Sequence, residues 1–504
     1  MDRSGAAPSS DPQVVIHGDR MYWPDREIPP SGTASGMTLD EPSRIEQVRN
    51  TFVLLVVCGY LLFNWGFMQI RIPPVAGGGI PIGEITIFLF MITLNYTGVL
   101  GRLSQTVYVL PFLIWWTFGV GRALFDFMNH GVWALRDAAH VLESLFIIIG
   151  FAFAAHPKNL ERFFVWLPRL LFIAVCYGML YPLRIDFASF SPTITTGAGG
   201  QAPIIGTMTN TPYMLLMAAA YLLLFQGHRL LGNLGAVALI GFTVAMFQAR
   251  TIYLMVLAVF AFMVLYRRST IGNLGVLVYL AGLLLALIPL LDLQIQGRLG
   301  ETFSFDFLVQ HFLAIFGISS SEYQGVSSAA AGVDQRLDWW QSIFDKMWAD
   351  PFKLLLGLGY GIPLTDFHGA GGAIVREPHN SYISVIARTG VVGAICWVLM
   401  MLILVRRWHR TFMDCRALDW RVGENRLMVL MVFQILIWIL AIGEDGFEKP
   451  YNIVPFYFFW GIILRFSYLL DQGMIGPEAE QIESADEAYE PPPPSAWTSR
   501  TMPS

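Results

Sequence analysis

The sequence predicts an all-α polytopic membrane protein, with about twelve transmembrane helices and one large outer (periplasmic) loop that contains an amphipathic helix. Three observations carry that expectation. Of the 504 residues, 55% are hydrophobic and 14% charged, against about a quarter charged in an ordinary soluble domain. Apolar runs of membrane length recur along most of the chain, and its basic residues gather in alternate connections.

A ~30 Å hydrocarbon core needs about 17 to 25 apolar residues per helix. Runs of this kind stand at 51–70, 80–97, 104–125, 137–155, 163–182, 205–226, 230–249, 251–266, 272–291, 381–405, 425–442 and 451–470. They are continuously apolar, whereas barrel strands alternate in polarity, which excludes a β-barrel reading. With a cytoplasmic N-terminus, Arg102, Lys158, Arg162, Arg229, Arg267, Arg268 and the dense group from Arg406 to Arg426 fall on the inner side, as the positive-inside rule requires. Twelve crossings then leave both termini cytoplasmic.

The expected organisation follows from these runs. Residues 1–45 form a disordered tail, 46–291 hold the first nine transmembrane helices, 292–380 form the periplasmic loop and 381–470 the last three helices. Residues 471–504 form a second disordered tail, acidic and Pro-rich. The first apolar run has no small-residue cleavage site behind it and is expected to act as a signal anchor. Of the four cysteines, Cys58, Cys176 and Cys396 fall in apolar runs and Cys415 in an inner connection, so no disulfide framework is expected in the outer loop. The net charge of −5 reflects the acidic tail, and nucleic acid is not an expected partner; membrane lipids are.

Two stretches of the loop stand out. In DQRLDWWQSIFDKMW, residues Trp340, Ile343, Phe344, Met347 and Trp348 recur at helical spacing, predicting a helix laid on the bilayer interface or on top of the bundle. In LLLGLGYGIP the glycines resemble a nucleotide fingerprint, but no strand precedes and no helix follows in a βαβ unit, so a tight turn is expected.

The chemistry concentrates in REPHNSYISVIARTGVVGAIC, residues 376–396. Proline at 378 and the capping types Asn380 and Ser381 predict a helix that starts at 381, its positive end facing the outer surface. His379 stands at that mouth and Arg388 inside the run, while Gly390 and Gly393 are expected to admit a neighbouring helix. Arg250, in MFQARTIYL, sits in a short outer turn between two runs. Arg169 and Arg465 are expected to be structural. The turn GEDGFEK gathers Glu444, Asp445 and Glu448, which could hold a cation or acceptor hydroxyls, but a solvated turn paired with Lys449 or arginines is the plainer expectation. Metal-binding motifs are absent from the sequence, so no metal and no cofactor is expected.

The order His379, Asn380, nine residues, Gly390, two residues, Gly393 resembles the signature of the O-antigen ligase and polymerase superfamily of bacterial membrane glycosyltransferases. The upstream Arg336, Trp340, Pro351, the glycine turn at 355–361 and PHNSY agree in order and spacing. Arg250 resembles the family's second arginine site, although Ala249 replaces the common serine before it. The resemblance implies an O-antigen ligase-like inverting glycosyltransferase of the inner membrane. It would take a glycan from undecaprenyl diphosphate and pass it to a sugar hydroxyl, such as that of lipid A-core, at the periplasmic face. The same signature fits a polymerase of O-antigen or exopolysaccharide repeat units, and polysaccharide-assembly proteins are further expected partners. On this reading His379 is the general base, Arg250 and Arg336 bind the diphosphate with Arg388 a third candidate, and Asn380, Tyr382 and Glu377 orient or bind the acceptor. Glu377 is also the nearest alternative base in sequence. The reading from another class is a lipid-linked glycan flippase or transporter, whose binding residues belong near mid-membrane.

Overall fold

The structure, a computed structural model, describes residues 16–17, 20–21, 43–74, 79–94, 109–196, 200–267, 275–276, 279–280, 282–283, 304–313, 324–368 and 374–477. Most of the span expected at 272–291, most of the segment 284–323 and nearly all of the two tails lie outside those residues. Contacts divide the chain into two units. The smaller joins residues 1–40 with 469–504; its described parts are the short antiparallel pair β1 (Ile16–His17) and β2 (Arg20–Met21), and the chain end around Leu469. Everything below concerns the larger unit, residues 41–468.

That unit is a helical bundle. It begins with α1 (Arg44–Met68), started by a capping box in which Ser43 and Glu46 satisfy each other's backbone N–H groups. A hairpin of β3 (Arg71–Ile72) and β4 (Ile80–Pro81) leads into α2 (Ile82–Ile92). Next come α3 (Val109–His130) and three short consecutive helices, α4 (Val132–Asp137), α5 (Ala139–Glu143) and α6 (Phe146–Phe153). The run expected as one helix at 137–155 is therefore broken. After α7 (Pro157–Met179), α8 (Arg184–Phe190) and the hairpin β5 (Thr193–Thr195) with β6 (Gln201–Pro203), three apolar helices follow: α9 (Thr211–Gln226), α10 (Leu230–Phe247) and α11 (Arg250–Tyr266).

Beyond α12 (Phe305–Leu313) lie α13 (Gln324–Trp348), α14 (Pro351–Leu356), α15 (Ser381–Ala417), α16 (Arg421–Gly443) and α17 (Pro450–Asp471). Among the described residues, α1, α7, α10, α15, α16 and α17 are long and apolar enough to cross a membrane, while α2, Ala139–Phe153, α9 and α11 are apolar but shorter. This is the make-up of a polytopic helical membrane protein. Helix α17 sits at the centre, with 94% of its apolar window buried. Gly150 and Gly461 bring α6 and α17 into backbone contact, since a Cβ on Gly461 would lie 2.3 Å from the Ile147 carbonyl oxygen. The outer helices turn apolar side chains such as Phe125, Phe172, Leu231 and Leu257 outward, as lipid-facing surfaces do.

The expected amphipathic helix is the second half of α13, and it rests on the end of the bundle. Ile343 and Met347 are fully buried against Leu364 and Ala387, the latter in α15. Trp348, expected on the same face, points away and is 68% exposed.

Candidate functional site

The site grows from the start of α15. Asn380 caps the helix, its side-chain oxygen accepting from the backbone N–H groups of Tyr382 (3.0 Å) and Ile383 (3.1 Å). The residue before it, His379, has φ of +51°, in the left-handed region that a side chain with a Cβ seldom adopts and that persists only where neighbours hold it. Two such restraints are visible: the Asn380 cap on one side, and Trp340, whose indole N–H donates to the Pro378 carbonyl at 2.9 Å, on the other. The imidazole is thereby aimed at the turn between α16 and α17.

In that turn His379 meets two carboxylates. Its Nδ1 lies 3.3 Å from Asp445 Oδ2 and 3.7 Å from Glu444 Oε2, and the ring is one third exposed. The Trp339 ring stands 6.0 Å away. The hydrogen-bonding approach of Asp445 raises the imidazole pKa; burial and the nearby Arg336 act against it but do not win. Burial alone would raise the Asp445 carboxyl, yet the hydrogen bond with His379 and the Lys449 ammonium 3.7 Å away hold it below the usual carboxylate range.

Arg336, on α13, reaches the same place. It donates 2.6 Å to the Gly443 carbonyl and lies 3.9 Å from Glu444 Oε1. Arg250 is the first residue of α11, which follows α10 after a sharp turn with Gln248 in the left-handed conformation. Gly443 ties the elements together: a Cβ there would lie 3.1 Å from Thr251 Cγ2 and 3.9 Å from Arg336 Nη1. The Arg250 and Arg336 guanidiniums act on each other as like charges. One end of the bundle thus holds an imidazole backed by carboxylates beside two arginines from separate elements.

Residues 235–398 match the O-antigen ligase family. The match spans about a third of the chain. The matched stretch covers Arg250, Arg336 and His379. None of the curated proteins matches the chain.

The other expected site residues are placed differently. Arg388 is 4% exposed and is spanned by Glu377 (2.8 Å), Asp137 (3.2 Å) and the carbonyls of Gly359 (3.1 Å) and Ile362 (2.6 Å). Glu377 also accepts from Ser384 at 3.1 Å, and Arg376 joins Asp137 at 2.7 Å. The structure therefore brings Arg388 and Glu377 to each other within the protein and not to His379. Tyr382 turns inward, its hydroxyl donating to the Trp438 carbonyl at 3.0 Å. Gly393 admits Phe118 of α3, as expected of a packing glycine.

Gly390 does more than admit a neighbour. Its φ of +67° interrupts α15, and a Cβ there would lie 2.3 Å from the Leu355 carbonyl oxygen and 2.4 Å from the Gly357 nitrogen. The interruption frees the Ala387 carbonyl, which accepts from the Leu358 N–H at 2.6 Å. The glycine turn is thus a docked strap. Tyr360 N–H donates to Asp126 (2.7 Å) and Gly361 N–H to Asp137 (3.0 Å), closing the strap over Arg388.

Two acids outside the matched segment, read from sequence as part of a solvated turn, stand closer to the site than that. Asp445 was weighed within a solvated turn; its side chain is only 9% exposed and faces His379. Glu448 is partly buried and accepts from the Ser381 hydroxyl at 2.5 Å, the same hydroxyl that takes the Phe447 N–H. Burial, with the Glu377 and Asp445 charges nearby, pushes its carboxyl up to about 8. Glu448 also lines a cavity of about 20 Å³ beside Asp137, His140 and Arg388, large enough for one water. The available signal was an acidic cluster two residues from a proline-started helix.

Proposed function

We propose that this protein is an inverting, metal-independent glycosyltransferase of the inner membrane that moves a glycan from undecaprenyl diphosphate to an acceptor sugar hydroxyl at the periplasmic face. The observation that supports this best is the joining of His379 to Asp445 beside Arg336 and Arg250. In the reaction the acceptor oxygen attacks the anomeric carbon of the donor as the bond from that carbon to the diphosphate oxygen breaks. The leaving diphosphate keeps the electron pair and the hydroxyl proton passes to His379. With Nδ1 turned to Asp445, Nε2 is the nitrogen left to take that proton.

The two guanidiniums suit the leaving group. Held near each other they repel, and a diphosphate between them relieves that repulsion and takes bidentate hydrogen bonds. Asn380 shapes the mouth as the helix cap, and the positive end of α15 adds to the favourable potential for an anion. Arg388 acts here by holding the strap. Ligation to lipid A-core is favoured slightly over polymerisation, which would use the same residues on a different acceptor. Gel analysis of surface glycans from a deletion strain separates the two: long chains left on the carrier mean a lost ligase, single repeats on the acceptor a lost polymerase.

The direct test uses purified protein in detergent with the lipid-linked donor and an acceptor glycan. Product formed with no membrane gradient, undiminished by EDTA, is the expected result; transport without product would assign the chain to the flippase class. In the same assay Arg250→Ala and Arg336→Ala are each expected to weaken donor binding about tenfold or more, as loss of a charge-assisted hydrogen bond predicts.

A further inference from the structure

A second cationic cluster includes Arg376, three residues before His379. Arg136 and Arg376 both stack on the Trp133 ring, their guanidinium carbons 4.8 and 4.5 Å from its centre. Trp133 is 50% exposed, and Arg136 lies at the surface. Arg71, in the β3–β4 hairpin, is close enough for its charge to act on Arg136. Two segments far apart in sequence thus deliver guanidiniums to one exposed aromatic residue, and a third brings Arg71 near Arg136.

Asp137 and Glu377 face Arg136, Arg376 and Arg388, and Glu84 faces Arg71. Glu143 stands beside Glu84 and Glu448 beside Glu377. The Nε atoms of Arg71 and Arg376 are buried and make no hydrogen bond. Buried donors without acceptors are uncommon in folded proteins, and an anion with several oxygens satisfies such donors in one step. The indole keeps two guanidiniums stacked and so reduces the entropy lost when they bind an anion.

We propose that Arg136 and Arg376, stacked on Trp133, together with Arg71 near Arg136, form an anion subsite for a phosphate or carboxylate group carried by a sugar of the substrate glycan. This rests on the glycosyl-transfer reading, and it adds that the glycan handled is acidic. Arg376 is three residues before His379, at most about 10 Å of extended chain, a gap that an oligosaccharide can bridge. The charged group would fix the orientation of a flexible oligosaccharide, leaving the hydroxyl or anomeric carbon to meet His379.

Glucosamine 6-phosphate, titrated into the full-length protein in detergent and followed by calorimetry, reads the subsite without any need for transfer. Binding is expected to weaken about tenfold in Arg136→Gln and again in Arg71→Gln, to weaken in Trp133→Ala, and to be unchanged in Arg250→Gln. Glucosamine itself is expected to bind at least tenfold less tightly. Melting curves establish that each variant is folded; Arg136 and Trp133 are exposed, so both are expected to be. Equal binding of the sugar and its phosphate, binding insensitive to Arg136 and Arg71, or binding lost with Arg250, would overturn the proposal. Displacement by soluble phosphatidylglycerol but not by inorganic phosphate would assign the cluster to lipid headgroups and also overturn it. Arginine-dependent binding in a protein that transfers no glycan would keep the subsite and remove the catalytic reading.

Discussion

An imidazole must be neutral to accept a proton, so the raised pKa of His379 has a direct consequence for the rate. The acid limb of transfer is expected above 6.5, the unperturbed value. Asp445→Asn removes the largest cause of the rise, so the limb is expected to move to lower pH while the maximal rate falls because the ring loses its partner. A kcat/KM profile over pH 5 to 9 checks both. The same pair bears on stability. The His379 share is present below its unfolded pKa and is lost as pH rises through the folded one; the Asp445 share is present above its unfolded pKa and is lost as pH falls through its depressed one. At this scale His379, Arg250 and Arg336 were legible because their types and places in the chain were unusual. Asp445 was not, because an acid in an exposed-looking turn declares no partner until α16 and α17 are folded against α15.

At the scale of elements, the start of α15 and the glycine strap form one joint. Gly390→Ala would force a side chain into the left-handed region and against the Leu355 carbonyl. Arg388→Ala would leave Glu377 without its arginine and Asp137 with Arg376 alone; breaking a buried pair costs about 3–5 kcal/mol. Both variants are expected to lose folded protein, seen as a lower melting temperature and a smaller monodisperse peak in detergent. A retained melting temperature for either would mean that the strap is not needed. The helix cap and the amphipathic part of α13 were readable from capping types and 3.6-residue spacing. The role of the glycine turn was not, because two glycines facing each other across 33 positions, Gly357 and Gly390, leave no periodic trace.

For the whole molecule, composition and apolar runs sufficed to predict a helical membrane protein, and most of the runs coincide with helices. What they did not reveal is how the bundle is cut: residues 132–153 form three short helices, which brings Asp137 to Arg388 and His140 to Tyr457. The proposed orientation has its own test. In a background without the native cysteines, a cysteine at Asp366, 79% exposed, is expected to react with a membrane-impermeant maleimide from the periplasmic side. One at Asp419, 92% exposed, is expected to react only after the membrane is opened. The reverse pattern would invert the topology and put the site on the wrong side for the proposed donor.

The central claim is that His379 takes the acceptor proton. The measurement that reaches it most directly is single-turnover transfer by His379→Ala, in detergent, at saturating donor and with donor binding measured alongside. A loss of about 10²- to 10⁴-fold in rate with donor binding retained is the predicted result; transfer within a few-fold of the unaltered protein would contradict it.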